Sequence, residues 1–201
     1  MAKDTSLAPL VVDHDPAWQA RGLALAAELR SALAPLALHV EHIGSTAIPG
    51  MAAKPVLDFQ VSVDDLQEAE RAFDQLLADQ GFQRSVHQHD HVPAGRDDAP
   101  ERWAKRLWLR RGHSGEDVNL HVRVLGAPNE RLALLFRDWF RSHPGAVPAH
   151  SRFKSTLAAT VDDVGVYSDV KDPVVDLVST VAESWAGETG WTPHPGSSPR
   201  V

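Results

Sequence analysis

Two stretches of the chain that read as β-strands carry the side chains best suited to chemistry. Each stretch has polar residues at alternate positions: Asp58 and Gln60 in the first, and Asn119, His121 and Arg123 in the second. Alternate side chains of a strand point to the same face, so each strand has one apolar face and one polar face. An aspartate in mid-strand needs a partner, because a lone buried charge is expensive. We therefore take Asp58 and His121 as the candidate catalytic residues.

A turn of small residues, Gly44-Ser45-Thr46, separates the strand predicted for 36–43 from the strand predicted for 55–63. Alone, such a tripeptide is typical of an ordinary β-turn. With Asp58 on the strand that follows, and with the longer sequence match given below, it predicts a ligand-binding loop. The residues predicted to bind the substrate are His42, Gly44, Ser45, Thr46, Lys54, Gln60, Asn119 and Arg123.

The charges around this turn favour an anionic ligand. The cationic and imidazole side chains expected nearby are His42, Lys54, His121 and Arg123, with Arg106 and Arg110 possible from a neighbouring strand. Such a set suits a phosphate or carboxylate group bound at Ser45 and Thr46. An alternative is a transition-metal site formed by His42, Asp58 and His121, since imidazole with one carboxylate suits Zn²⁺, Mn²⁺ or Fe²⁺.

A second histidine pattern lies at His87, His89 and His91, which alternate along a weaker predicted strand. Three imidazoles on one face can bind a metal. The polar edge of a strand that leads into a loop is the favoured interpretation of this pattern.

The composition is that of a globular protein and excludes some classes of function. The chain has 201 residues, 43% of them hydrophobic, and a net charge of −7. Nucleic-acid binding is not expected, because it needs a basic surface. No stretch approaches the ~20 apolar residues of a membrane span, and the N-terminus has no signal-peptide pattern. The absence of cysteine is compatible with the cytoplasm, where we expect the protein to act.

The hydrophobic periodicity predicts an α/β (α+β) fold with a mixed sheet of about five strands flanked by helices and a C-terminal helical cap. Helices are expected at 16–34, 65–80, 129–142, 147–161 and 172–186, with breaks at Pro144 and Gly165. Strands are expected at 36–43, 55–63, 82–92, 101–110 and 117–125, the last two as a hairpin. The basic residues of the later helices, Arg137, Arg141 and Lys154, are interpreted as solvated charges. The chain divides into an N-terminal arm (1–14), one domain (15–186) and a flexible tail (187–201).

The string HVEHIGSTAIPGMAAKPVLDFQV at 39–61 resembles the GrpB family. The resemblance continues through 118–122 and 135–144 to the segment near Tyr167 and Lys171, and covers about residues 12–186. The family is grouped with polymerase-β-like nucleotidyltransferases, so the resemblance implies a core of that kind. In those enzymes a small turn cradles a triphosphate, and carboxylates on neighbouring strands hold Mg²⁺. GrpB-like domains also occur fused to dephospho-coenzyme A kinases, which implies an accessory role beside a partner enzyme.

By this resemblance, Gly44-Ser45 occupies the phosphate turn, and Asp58 is the first metal-binding carboxylate. The second carboxylate position holds Gln60, and the later strand offers Asn119 and His121, so the carboxylate triad is incomplete. The first hypothesis is a possible transferase that binds a phosphate-bearing or other anionic small molecule, most simply a nucleotide, with Mg²⁺ or another divalent metal on Asp58. The second is a non-catalytic accessory or folding module for a partner enzyme. The third is the transition-metal site described above.

Overall fold

The computed structural model describes residues 9–112 and 116–194, and within these ranges it has five helices and five strands. The helices are α1 (Ala17–Ala32), α2 (Leu66–Ala78), α3 (Pro128–Ser142), α4 (Val147–Thr160) and α5 (Val164–Thr189). The strands are β1 (His39–Ile43), β2 (Val56–Val63), β3 (Phe82–Arg84), β4 (Arg106–Arg110) and β5 (Asp117–Val124). Short 3₁₀ turns lie at Ser45–Ala47, Pro100–Trp103 and Pro144–Ala146.

The strands form one mixed sheet in the order β1-β2-β5-β4-β3. β2 and β5 run parallel, with Asp58 beside Asn119 and Gln60 beside His121. The other neighbouring pairs are antiparallel, including the predicted pair β4 and β5, whose connecting residues 113–115 lie outside the described residues. The predicted mixed sheet of about five strands flanked by helices is confirmed. Because paired residues of adjacent strands share a face, the polar side chains of β2 and β5 form one continuous surface.

The other face of the sheet is the hydrophobic core, against which α1 and α2 pack. β2 contributes Leu57, Phe59, Val61 and Val63, each no more than 1% exposed. Full burial of one such side chain stabilises the fold by ~1.5–3 kcal/mol. From Leu57 onward, the strict alternation along β2 thus sends the apolar residues to the core and the polar residues to the opposite face.

The polar face of the sheet is covered by α3, which meets it through hydrogen bonds. Gln60 Nε2 donates to the backbone carbonyl of Glu130 at 3.1 Å, and Ser62 Oγ donates to Glu130 Oε1 at 2.7 Å. Glu130 is fully buried, and Nε2 of His194 lies 2.7 Å from the same Oε1. Buried polar groups need such partners, so these bonds are what make a polar sheet surface compatible with burial.

The predicted strand at 82–92 ends at Arg84, because only Phe82–Arg84 pairs with β4. His87, His89 and His91 therefore lie in a loop, where the alternation that would bring their rings together is lost. His91 Nε2 instead lies 3.1 Å from Asp176 on α5. The strand predicted for 101–110 also begins late, since Pro100–Trp103 forms a 3₁₀ turn.

The C-terminal helix differs most from the prediction, because the break expected at Gly165 lies at 161–163 and the helix expected at 172–186 begins at Val164. A single helix of 26 residues runs from Val164 to Thr189 and includes both Gly165 and Pro173. The predicted tail boundary at 187 falls inside this helix, and Trp191 Nε1 beyond it donates to Asp138 at 3.2 Å. Residues 195–201 of the predicted tail lie outside the described residues.

At the other end of the chain, Val12 of the predicted arm forms two backbone hydrogen bonds with Ala53, each of 2.9 Å. Residues 1–8 lie outside the described residues. In the part of the chain that the structure describes, no helix combines the length and the apolar character that a membrane crossing requires.

Candidate functional site

The turn after β1 approaches the carboxylate of Asp58 closely, and Gly44 makes this approach possible. Gly44 has φ 68° and ψ −169°, a conformation that is essentially restricted to glycine. A Cβ atom built on Gly44 would lie 2.6 Å from Asp58 Oδ2. The Gly44–Thr46 segment and Asp58 therefore form one unit, as the sequence predicted.

Two arginines of α3 hold this turn in place. Arg137 Nη1 donates to the carboxylate of Glu41 at 2.8 Å and to the carbonyl of His42 at 3.1 Å. Arg141 donates from Nε and Nη2 to the carbonyl of Ala47, at 3.0 and 2.9 Å. Arg137 is only 7% exposed. The prediction that these helix charges are solvated is wrong for Arg137, whose guanidinium instead fastens α3 to the end of β1.

Asp58 lies at the centre of the polar face with two partners from β5. Asn119 Nδ2 donates to Asp58 Oδ1 at 2.7 Å, and His121 Nε2 lies 3.7 Å from the same oxygen. Burial opposes ionisation of Asp58, but the interactions with His121 and Asn119 outweigh it and hold the pKa of the carboxyl below its ordinary value. Asp58 is therefore a carboxylate at neutral pH, with a side chain 28% exposed.

The imidazole of His121 has one tautomer that satisfies its neighbours. Arg123 Nη2 lies 3.4 Å from His121 Nδ1, and a guanidinium can only donate. Nδ1 is therefore the acceptor, and the proton is on Nε2, which faces Asp58. Burial, followed by the positive charge of Arg123, lowers the pKa of His121 despite the attraction of Asp58. The ring is neutral at neutral pH.

Three lysines from distant parts of the chain surround the turn: Lys54 before β2, Lys154 on α4 and Lys171 on α5. Lys154 Nζ donates to Ser45 Oγ at 2.7 Å, and Lys54 Nζ lies 4.4 Å from the ring centroid of Tyr167. No carboxylate oxygen of the described residues lies within 4.0 Å of these three ammonium groups. Burial and then the charge of Lys171 lower the pKa of Lys154 to about 7, and the same two causes lower the pKa of Lys54.

These groups line one cavity of about 840 Å³. Its wall contains the turn, Asp58 with its β5 partners, and residues of α3, α4 and α5. Four of the five lysines in the sequence are in this wall: Lys54, Lys105, Lys154 and Lys171. The same wall also holds five aspartates, so it is the part near the turn, where Lys54, Lys154 and Lys171 have no carboxylate within 4.0 Å among the described residues, that is chemically suited to an anion.

A buried ion network forms another part of the same wall. Asp90 accepts from Lys105 Nζ at 2.6 Å, from Arg123 Nε at 2.8 Å and from Asn129 Nδ2 at 3.0 Å. Burial opposes its ionisation, but Arg123 and Lys105 overcome this and hold the pKa of Asp90 far below its ordinary range. Asp90 neutralises one of the two positive charges of Lys105 and Arg123 and holds both side chains within this network. Lys54, Lys154 and Lys171 are the lysines of the cavity wall that lie outside it.

Two of the predicted substrate-binding residues do not line the cavity. His42 lies on the opposite face of the sheet from Asp58, because adjacent strand positions alternate. Its ring stacks on Phe59 and occupies the space left by Gly22 of α1, and its Nε2 lies 3.0 Å from Thr46 Oγ1. Burial lowers the pKa of His42 to about 4. His42 thus supports the turn from behind as a neutral imidazole.

Gln60 is the second of these residues and is completely buried. Its Oε1 accepts from Arg123 Nη1 at 2.6 Å, and its Nε2 donates to α3, so its amide positions Arg123 and connects β2 to α3. Arg106 and Arg110, considered possible members of the site, lie on the core face, where Arg106 pairs with Glu70 of α2 and Arg110 stacks over Phe82. The cavity does contain the other predicted residues: Gly44, Ser45, Thr46, Lys54, Asp58, Asn119, His121 and Arg123.

The side chains around the turn fit neither the predicted transition-metal site of His42, Asp58 and His121 nor the predicted divalent-metal site on Asp58. Within residues 9–112 and 116–194, no group of three or more His, Asp and Glu side chains is arranged to hold a metal ion. His42 and His121 lie on opposite faces of the sheet, and Asp58 Oδ1 is occupied by the amide of Asn119. The ammonium groups in the same cavity would also repel a divalent cation.

The chain was compared with protein families, curated proteins and solved structures. The family model described as GrpB protein matches residues 9–180, which is most of the chain.

The chain belongs to the GrpB family.

Similar curated proteins agree with this assignment. A dephospho-CoA kinase of Mycolicibacterium paratuberculosis is 36% identical over 197 residues, which are 91% of this chain and 48% of that protein. A UPF0157 protein of Streptomyces coelicolor is 32% identical over 171 residues, covering 85% of this chain and 82% of that protein. This GrpB chain thus spans about half the length of the dephospho-CoA kinases that it matches.

A solved structure supports the fold. The crystal structure of the conserved protein GrpB from Enterococcus faecalis has a TM-score of 0.70 and 24% identity, and covers 88% of this chain and 99% of that one. The α/β architecture described above is therefore shared with a GrpB protein of known structure.

Sequence reasoning missed the lysines and the aromatic ring that face the turn from the C-terminal helices. Lys154 was assigned to solvent but is 3% exposed, and Lys171 and Tyr167 were noted only as part of the family resemblance. A weak signal was present in the composition. A chain with 20 Lys and Arg residues that contains only five lysines uses lysine sparingly, so each lysine merits separate consideration.

We expect Gly44→Ala to destabilise this GrpB domain and disturb the cavity. The substitution imposes a left-handed φ on alanine, which costs about 1–3 kcal/mol, and places a methyl group against Asp58 Oδ2. Urea denaturation measures the free energy of unfolding. Gly126→Ala is the matched control, because Gly126 has φ 77° and no atom within 4 Å of its added Cβ. Equal losses of stability in the two variants would contradict the proposed close approach of the turn and Asp58.

Proposed function

We propose that this GrpB domain binds a small molecule through a phosphate or carboxylate group that contacts Ser45 and the ammonium groups of Lys54, Lys154 and Lys171. The observation that carries this proposal is the cluster itself: three buried or half-buried lysines face one turn, and no carboxylate of the described residues lies within 4.0 Å of them. Burial of unpaired charge is costly. An anion would supply the missing countercharge.

A nucleotide is the simplest ligand that meets these conditions. The cavity of about 840 Å³ lies within the range of ~300–1,000 Å³ usual for small-molecule sites. With the phosphates at the lysine cluster, Asp58, Asn119 and His121 would contact the adjacent part of the ligand. The resemblance to polymerase-β-like nucleotidyltransferases suggests the same placement of phosphates beside the Gly44-Ser45 turn.

Transfer chemistry has less support than binding. Nucleotidyl transfer by two metals requires a cluster of carboxylates, whereas the positions beside Asp58 hold Gln60, Asn119 and His121. A transferase activity that uses Mg²⁺ or another divalent ion on Asp58 stays a prediction, as does action in the cytoplasm.

Isothermal titration with ATP and with pyrophosphate, each with and without Mg²⁺, tests the binding proposal. We expect Lys154→Met and Lys171→Met to weaken binding at least about tenfold, because a tenfold loss corresponds to only ~1.4 kcal/mol. The matched control is Arg152→Met, which removes an exposed positive charge from the same helix. The absence of heat with both ligands at millimolar concentration, or equal affinity in all four proteins, would overturn the proposal.

The affinity for an anion should fall as the pH rises through about 7. Lys154 has a pKa of about 7 in the free protein, so below this pH it adds a third positive charge, and above it the charge is lost. Asp58, which faces Lys154, remains a carboxylate across this range. Sulfate is a suitable titrant, because its own charge is constant there. Lys154→Arg should flatten the pH profile, since arginine stays protonated, and an unchanged profile in this variant would exclude Lys154 as the titrating group.

A second candidate function is an accessory module for a partner enzyme. The observation that favours it is that the chain matches about half of each of several dephospho-CoA kinases, so similar domains are joined to additional sequence. In this case a partner should copurify stoichiometrically with the tagged chain from its host. The partner should also be retained by Ser45→Ala and Lys154→Met. Failure of the wild-type chain to retain any stoichiometric partner would exclude this function.

A further inference from the structure

Lys154 differs from an ordinary surface lysine in its surroundings. Its side chain extends from α4 into the cavity and is 3% exposed as a residue, with Ser45 Oγ 2.7 Å from Nζ. No ion pair within 4.0 Å involves it among the described residues. Lys105 provides a contrast in the same wall: it is similarly buried, but its Nζ forms a 2.6 Å ion pair with Asp90. One buried amine thus has a carboxylate partner, and the other has none within 4.0 Å among the described residues.

The charged and titratable groups around Lys154 come from every element packed against it. They are Lys171 and Tyr167 of α5, Asp58 of β2, Lys54 of the segment before β2, and His150 one turn earlier on α4. Burial, with the charges of Lys154 and Lys171, lowers the pKa of His150 to about 4, and burial raises the pKa of Tyr167. Both rings are therefore neutral near pH 7. Among the described residues, Asp58 is the carboxylate whose negative charge acts on Lys154.

A buried amine beside a second cation is the arrangement that makes a lysine nucleophilic in carbonyl chemistry. Lys54 and Lys171 are positioned to hold an anionic group in front of it, and the Ser45 hydroxyl is within hydrogen-bond distance of Nζ. An amine, a cationic anchor and a hydroxyl in one cavity are the components that imine formation requires.

We propose that Lys154 is a nucleophilic amine that forms an imine with the carbonyl carbon of a ligand whose carboxylate or phosphate group is held by Lys54 and Lys171. The ligand class is a 2-oxo acid or a phosphorylated ketone or aldehyde. This inference rests on the proposed anion site and adds covalent chemistry to it.

The reaction balances without any further reagent. The Nζ lone pair forms a bond to the carbonyl carbon and gives a carbinolamine. The former carbonyl oxygen then leaves as water, which takes its two hydrogens from the amine, and a C=N bond remains. Ser45 Oγ can relay a proton between Nζ and the departing oxygen. Asp58 is available to stabilise the imine if it becomes protonated.

Reductive trapping tests this proposal on the full chain. The protein is incubated with sodium cyanoborohydride and either pyruvate or dihydroxyacetone phosphate, and labelled lysines are located by peptide mass spectrometry. We expect Lys154 to be labelled at least about tenfold more than Lys105 at pH 7, where an ordinary lysine with a pKa near ~10.4 is almost fully protonated. Labelling by one ligand and not the other would identify the carboxylate or the phosphate as the anchor.

Three controls separate the possible roles of the site. Acetone has a carbonyl group but no anion, so it should label Lys154 much less than pyruvate does. Lactate has the anion but no carbonyl, so it should compete without labelling. Lys154→Arg keeps a positive charge but cannot form an imine, so it should lose the label.

The outcomes distinguish this inference from the proposed function. Anion binding without preferential labelling of Lys154 by either carbonyl compound would overturn the imine and leave the anion site intact. The absence of anion binding in the wild-type protein would overturn both. Equal labelling of Lys154 and Lys105 would show ordinary amine reactivity and also overturn the inference.

Discussion

The sheet of this protein is covered on both faces, although one of those faces is polar, and most of the structure follows from that constraint. Asp58, Gln60 and Ser62 of β2 stand beside Asn119, His121 and Arg123 of β5. Once α3 covers this surface, each of these groups must be paired, since an unsatisfied buried donor or acceptor costs ~1–3 kcal/mol. Glu130 meets this need for Gln60 and Ser62, and Asp90 meets it for Arg123. At the end near the turn the pairing is incomplete, and the cavity lies there.

Much of the fold could be predicted because the dominant signals are local. Strand alternation in β2 and β5 identified the correct faces, and helix periodicity placed α1, α2, α3 and α4 to within a few residues. Local signals were misleading where tertiary contacts decide the outcome. Gly165 and Pro173 are helix breakers by propensity, yet α5 continues through both of them. The alternating histidines after β3 suggested a strand, but only three residues there have a pairing partner.

The sequence predicted the part of the candidate site that lies on the strands and the turn, but not the part that lies on α4 and α5. Ser45, Asp58, Asn119 and His121 belong to the strands and the turn, so their spacing carried the signal. Lys154 and Lys171 belong to helices more than 90 residues away in sequence, and no periodicity relates them to the turn. His42 was misassigned for a simple reason: it is next to the turn in sequence, but the alternation of β1 sends it to the core. Asp90, in an irregular loop, gave no pattern at all.

The cavity is closed by elements from opposite ends of the domain, with the turn and Asp58 on one side and α4 and α5 on the other. The side of the cavity formed by the turn and Asp58 is complete once the sheet forms, whereas Lys171 and Tyr167 join the cavity wall only when α5 packs onto the domain. Occupancy of the cavity and docking of α5 are therefore thermodynamically linked, and such coupling is reciprocal. Whatever tightens α5 against α3 and α4 will strengthen ligand binding, and a bound ligand will tighten α5 to the same extent. The C-terminal helix can thus couple ligand binding in the cavity to the binding of any segment or partner that contacts this helix.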